Sequence, residues 1–145
     1  MIRPALLRDV AAINAFDTFA GNRILEIAEN RMLVIELAGT VVGYASWLPR
    51  GFVGRDYITY VCVDPAFQRR GCGRQLLHAV EAAIGAGRVF VSTEEDNAAM
   101  LALLPVEGWT HAGSVAGANE GDRAEVFFYK DHDGADRAQT GTDIR

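Results

Sequence analysis

The residues with the clearest chemical potential lie in one stretch, Val61-Cys62-Val63-Asp64-Pro65-Ala66-Phe67-Gln68-Arg69-Arg70-Gly71-Cys72-Gly73-Arg74. A β-branched run feeds a short loop, and two glycines stand where a helical pattern begins. Glycine at 71 and 73 lets the main chain approach a ligand with no Cβ in the way. The first amides of a helix lack carbonyl partners and carry the positive end of its dipole, so several donors converge on an anion there. Arg69, Arg70 and Arg74 concentrate positive charge in a chain whose net charge is −5, which marks a local anion site. Elimination narrows the anion. A nucleotide-triphosphatase loop needs Lys and then Ser or Thr after its second glycine, and Arg74-Gln75 stand there. A dinucleotide fingerprint needs a third glycine three residues on, and Leu76 stands there.

Such a loop needs a strand before it and a helix after it. Tyr57–Val63 reads as a strand ending at Asp64-Pro65. Leu76, Leu77, Val80 and Ile84 form one apolar helical stripe, Gly85 and Gly87 end it, and Arg88–Thr93 reads as a buried strand. Strand, helix and strand over 57–93 imply a parallel pair with a right-handed crossover. Upstream, Leu6, Val10, Ile13 and Phe16 recur at helical intervals, and a second short helix holds Ile24, Leu25 and Ile27. Met32–Ala38 and Val41–Leu48 are β-rich runs separated by a hairpin signal at Gly39-Thr40. Pro49-Arg50-Gly51 predicts a chain break. Downstream, Asp96 or Asn97 caps a helix through Leu104, and strands follow near Trp109–Val115 and over Glu125–Lys130. The expected fold class is α/β, a mixed and mostly antiparallel central sheet of about six to seven strands with helices on both faces. Residues 1–130 read as one domain and 131–145 as a polar, flexible tail.

Composition excludes several classes. The 14 basic and 19 acidic residues argue against non-specific nucleic-acid binding, which depends on neutralising many phosphates. No run of about 18 apolar residues exists to span a bilayer, and Met1-Ile2-Arg3-Pro4 does not open a secretory signal. Cys62 and Cys72 lack the close spacing of a zinc or redox pair, and His78, His111 and His132 are too scattered for a metal site. No metal is expected, and reduced thiols suit a cytoplasmic protein.

Gln-x-x-Gly-x-Gly after a strand ending Val-x-Val-Asp-Pro resembles the GNAT superfamily of acetyl-CoA-dependent N-acetyltransferases. The resemblance runs from about Ile2 to Lys130. Ile2-Arg3-Pro4-Ala5, the central loop and helix, and Asn97-Ala98 through Glu107-Gly108-Trp109 fall in family order. The resemblance implies that the amides of Arg69, Arg70, Gly71, Cys72, Gly73 and Arg74 hold the diphosphate of coenzyme A, with Gln68 at the loop entrance. It implies a strand splayed from its parallel neighbour, with Val63 pairing with the pantetheine arm and the Val61 amide near the thioester carbonyl. A donor so placed stabilises the oxyanion of a tetrahedral intermediate, and removing one typically costs ~2.7–4 kcal/mol of barrier. Asn97 has two compatible roles, helix N-cap and hydrogen bond to the cofactor arm.

The acid–base residues depart from the family pattern. Many members carry a Tyr seven residues after the Asn as proton donor to the thiolate, and here Leu104 occupies that position, with Pro105 expected to shorten the helix. Some carry a Glu six residues before the last valine as general base, and here Tyr57 occupies that position. By strand alternation Tyr57, Thr59, Val61 and Val63 share one face, and no carboxylate of this strand is aimed at the reacting carbon. Tyr57 is therefore one catalytic candidate. Glu94, with Glu95 beside it, is the other, against the reading that both are solvated charges near a helix N-terminus.

The resemblance thus implies an enzyme that moves acetyl from acetyl-CoA to a primary amine by direct attack in a ternary complex. The acceptor is a small-molecule or peptide amine. No nucleic acid or membrane is implied, and a homodimer stays open. The alternative is a non-catalytic acyl-CoA-binding or sensing domain on the same fold, motivated by Leu104 and the missing strand carboxylate.

Overall fold

The computed structural model describes residues 1–133. In chain order these form β1 (Ile2–Pro4), α1 (Val10–Asn14), α2 (Ile24–Ala28), β2 (Met32–Leu37), β3 (Thr40–Phe52), β4 (Arg55–Val63), α3 (Cys72–Ile84), β5 (Gly87–Glu94), α4 (Ala98–Val106), β6 (Thr110–Val115) and β7 (Glu125–His132). The strands build a seven-stranded sheet in the order β1-β2-β3-β4-β5-β7-β6, mostly antiparallel with one parallel pair. The expected fold class is observed. The contacts divide into two compact units, Met1–Leu48 with Ile58–Ile84, and Pro49–Tyr57 with the described residues from Gly85 on.

In the first unit, alternation along the strands sorts side chains onto two faces. Ile13, Phe16 and Ile27 from the N-terminal helical segments pack with Met32, Val34, Tyr44 and Cys62. The apolar stripe of α3 supplies Leu76, Leu77 and Val80, all fully buried, each contributing roughly 1.5–3 kcal/mol by burial. Gly43 makes the seat for α3. A Cβ there would lie 3.2 Å from Leu76 Cδ1, 3.1 Å from Ile35 Cγ2 and 3.1 Å from the Cys62 carbonyl oxygen.

β1 was not expected, because three residues including a proline are too short to show a period. It pairs antiparallel with β2, Ile2 opposite Ile35. Arg3 locks it in place. Its guanidinium forks onto both carboxylate oxygens of Asp9 at 2.9 Å and reaches Glu36 Oε1 at 2.6 Å. The Leu6 amide also donates to Asp9, at 2.7 Å. The Arg3 hydrogen bonds hold the Asp9 carboxyl below its ordinary range, against burial that pushes it up. A carboxyl lowered on folding stabilises at pH above its unfolded value and ceases to do so as pH falls through the folded one. Asp9→Asn is therefore expected to lose about 2 kcal/mol at neutral pH, and to show a shallower fall in stability below about pH 4. Urea melts across pH check both.

Several expected boundaries move. The predicted break at Pro49-Arg50-Gly51 lies inside β3, which runs on to Phe52. Arg50 takes up the irregularity with φ +56, and its amide donates to Asp56 Oδ1 at 3.0 Å. The reversal comes at Val53-Gly54, with φ +52 and +82, the signs of a type I′ hairpin turn. The earlier hairpin likewise turns on Ala38-Gly39, φ +50 and +81, one residue before the expected Gly39-Thr40. Pro105 does not end α4, which continues to Val106. It forgoes one bond, to the Leu101 carbonyl, and the helix end is closed by the Glu107 amide on the Leu103 carbonyl and the Trp109 amide on the Leu104 carbonyl, both at 3.0 Å.

In the second unit, β5 and β7 pair from Gly87 opposite His132 to Glu94 opposite Glu125, and β6 borders β7. Val89, Val91, Thr93, Val126 and Phe128 are buried, while Phe90, Ser92, Phe127 and Tyr129 alternate onto the half-buried face. The last strand ends at His132 rather than Lys130, and the Arg88–Asp131 ion pair at 2.8 Å ties its end to β5. The remainder of the expected tail, from residue 134, lies outside the described residues.

Candidate functional site

β4 delivers the chain to the glycine loop in the first unit. Val61 and Val63 are half-buried on one face, while Cys62 turns into the core, its thiol 3.9 Å from the Phe16 carbonyl. Burial pushes that thiol above its ordinary range, so it stays protonated. Asp64 then closes a tight turn. Its Oδ1 accepts from the Ala66 amide at 3.0 Å and its carbonyl from the Phe67 amide at 2.8 Å. Gln68 folds back and donates through Nε2 to the Val63 carbonyl at 3.2 Å.

Arg69 and Gly71 reverse the chain with φ +65 and +78, and α3 starts at Cys72. The Gln75 amide donates to the Gly71 carbonyl at 3.0 Å. The amides of Cys72, Gly73 and Arg74 come before that bond and have no helical carbonyl one turn back. Arg69, Arg70 and Arg74 are exposed around them, with Arg70 5.2 Å over the Phe67 ring, while the Cys72 side chain is buried beneath.

Gly73 is the informative glycine. A Cβ there would meet only Val63 Cγ2, at 4.0 Å. Neither packing nor backbone angle demands glycine at this helical position, where Ala would be better by about 1 kcal/mol. The space lies beside donor amides, an arrangement that can admit an anion to the main chain.

The other candidates lie in the second unit. Asn97 is the N-cap of α4, its Oδ1 accepting from the Met100 amide at 3.2 Å. Glu94 pairs with Arg123 at 3.3 Å, each about two-fifths exposed, and the exposed Glu95 accepts from the Ala124 amide at 2.7 Å. Leu104, at the position of the absent tyrosine, is fully buried core. The Tyr57 hydroxyl lies 2.6 Å from Ser92 Oγ. Ser92 Oγ in turn donates to Glu125 Oε2 at 2.6 Å, and Asn119 Nδ2 donates to Glu125 Oε1 at 2.9 Å. Ser92 and Glu125 lie within the predicted strands and belong to no motif that singles them out. The available signal was a serine and a carboxylate on the otherwise aromatic face of β5 and β7.

Among the described residues no group of three or more His, Cys, Asp or Glu is placed to hold a metal ion. No helix among them is long and apolar enough to cross a membrane. The model of the acetyltransferase (GNAT) family matches residues 7–105, more than half the chain. This chain belongs to the GNAT family. A GNAT relative, the N-alpha-acetyltransferase RimI of Mycobacterium tuberculosis, is 36% identical over 96 residues, 65% of this chain and 61% of that protein. The chain thus spans less than two thirds of that relative's length. Among solved GNAT structures, Salmonella typhimurium yncA, determined with its cofactor acetyl-CoA, is 26% identical with a TM-score of 0.75, over 92% of this chain and 94% of that one. The ribosomal-protein-alanine N-acetyltransferase of Brucella melitensis is 25% identical with a TM-score of 0.76, over 90% and 99%.

Proposed function

We propose that this protein transfers the acetyl group of acetyl-CoA to a primary amine. The observation that carries the reading is the Gly71–Arg74 turn, whose positive φ, helix-start amides and vacant Cβ space at Gly73 suit a diphosphate. Bound acetyl-CoA supplies an activated thioester. In this reading the amides from Arg69 to Arg74 bind its diphosphate, with the three arginines adding charge at the rim and Gln68 at the entrance. Val63 offers main-chain groups to the pantetheine arm, and its carbonyl has a second lone pair beyond the one Gln68 occupies. The Val61 amide is the donor toward the thioester oxygen, and Asn97 adds a contact to the arm while capping α4. A cytoplasmic setting belongs to the same reading, since Cys62 and Cys72 are both free thiols. The relatives named for N-alpha and ribosomal-protein-alanine acetylation favour a peptide α-amine as acceptor.

The test is thiol release from acetyl-CoA across a panel of N-terminal peptides, polyamines and aminoglycosides, with mass spectrometry of the product. Amine-dependent release with an acetylated product is expected. Tight coenzyme A binding with no turnover on any amine would reject the enzyme and leave the sensing domain.

A further inference from the structure

A continuous line of hydroxyls connects the Glu125 carboxylate to β4. Tyr57 stands on β4 four residues before Val61, on the same face. Its hydroxyl, Ser92 Oγ and Glu125 Oε2 follow one another at 2.6 Å and 2.6 Å, all part-buried. Ser92 donates to Glu125, so its single hydroxyl proton is committed and the Tyr57 hydroxyl must donate to Ser92. The chain of donors therefore runs in one direction, from Tyr57 to the carboxylate. Asn119 holds the other carboxylate oxygen at 2.9 Å and so fixes Glu125 in register.

We infer that Tyr57, Ser92 and Glu125 form a proton relay that deprotonates the acceptor ammonium, with Glu125 as the terminal proton acceptor. This rests on the transferase reading above. The Tyr57 oxygen takes a proton from the ammonium as its own proton passes to Ser92 Oγ. The serine proton passes to Glu125. One N–H bond breaks, one carboxylate O–H bond forms, and both hydroxyls end with the proton count they began with. The acceptor becomes a neutral amine, the form able to attack a thioester. In this relay Tyr57 is the group that meets the ammonium, and Ser92 and Glu125 are positioning residues that act through it.

Charged groups stand near Glu125 on several elements. Glu94 stands directly across on β5, with Arg123 at 3.3 Å from it and Asp96 at 3.5 Å from Arg123. Glu95 is bound to the Ala124 amide, the residue before Glu125. β6 places Val115 opposite, and the loop before β7 brings Asn119 with Glu120 beside it.

The experiment compares the full chain with Glu125→Gln and Ser92→Ala, following acetyl transfer to the best amine of the panel from pH 5 to 9. Both variants are expected to lose kcat by about a hundredfold or more with little change in the acceptor KM. Glu125→Gln should also lose the acidic limb expected of the wild-type profile. Glu125→Asp should recover part of the rate. Coenzyme A affinity by calorimetry and the melting temperature of Ser92→Ala should stay at the wild-type level. Either variant keeping kcat within about threefold of wild type, with the acidic limb intact, overturns the relay. Loss of kcat together with loss of coenzyme A uptake makes Glu125 structural and overturns it too. A wild type that turns over no amine rejects the transferase reading itself and the relay with it.

Discussion

Gly73→Leu is expected to weaken coenzyme A binding by about a hundredfold or more, close to 2.7 kcal/mol, while the folded protein holds or gains stability. The two effects have opposite signs because they arise in different places. Position 73 is in the first turn of a 13-residue helix, and leucine is a far better helix former than glycine. The nearest atom to a Cβ there is Val63 Cγ2 at 4.0 Å, so the core does not object. The side chain is instead expected to fill the space beside the amides of Cys72 to Arg74, where the proposed diphosphate would lie. Gly71 is the contrasting control. Its φ of +78 makes any side chain strained, by roughly 1–2 kcal/mol, so Gly71→Leu should lose folding and binding together. Titration calorimetry and thermal melts read the two quantities separately. Equal losses of both in Gly73→Leu would contradict the anion cradle.

The second large effect is on stability alone. Arg23→Met is expected to cost about 3–5 kcal/mol, because it leaves two carboxylates buried without their cation. The Arg23 side chain is only 4% exposed and lies 3.4 Å from Asp17 and 3.2 Å from Glu26. It also donates to the Ala20 carbonyl and stacks 4.1 Å over the Tyr60 ring. Asp17 is tied into the core from the other side, accepting from the Tyr44 hydroxyl at 2.8 Å. Burial first, and then Asp17, push the Tyr44 phenol far above its ordinary range, so it remains a donor. The network pins the segment between α1 and α2 to the sheet through residues that are themselves nearly dry. Urea denaturation should show the loss. Asp17→Asn added to Arg23→Met should restore part of it by removing one orphaned charge. A loss below about 1 kcal/mol would mean that water reaches the cluster and screens it.

Local rules reached different depths in different parts of this chain. The strand, turn and helix from Tyr57 to Ile84 were legible because valine runs, paired glycines and an apolar stripe are signals within a few residues. So was Asn97, whose cap role needs only the amide of Met100 three residues on. Pro49-Arg50-Gly51 misled because an exposed strand end tolerates what a central strand would not. Pro105 misled for a similar reason at the last turn of a helix. The roles of Glu94 and Glu95 were not legible, since Arg123 and the Ala124 amide come from a segment some thirty residues away.

By itself the amino-acid order carried the family resemblance, through the Gln68 to Gly73 motif, together with the sheet class and the glycine turn. The sheet class and the turn depend on backbone conformation, which short-range sterics and periodicity dictate. Only the tertiary structure decided which side chains meet. The pairing of Glu94 with Glu125 and Ser92 with Phe127 sets a register between β5 and β7, and the hydroxyl line from Tyr57 to Glu125 exists only in that register. A one-residue slip of β7 would turn Glu125 and Phe127 to the opposite face; the alternation within each strand fixes that parity, but not which residue stands opposite which.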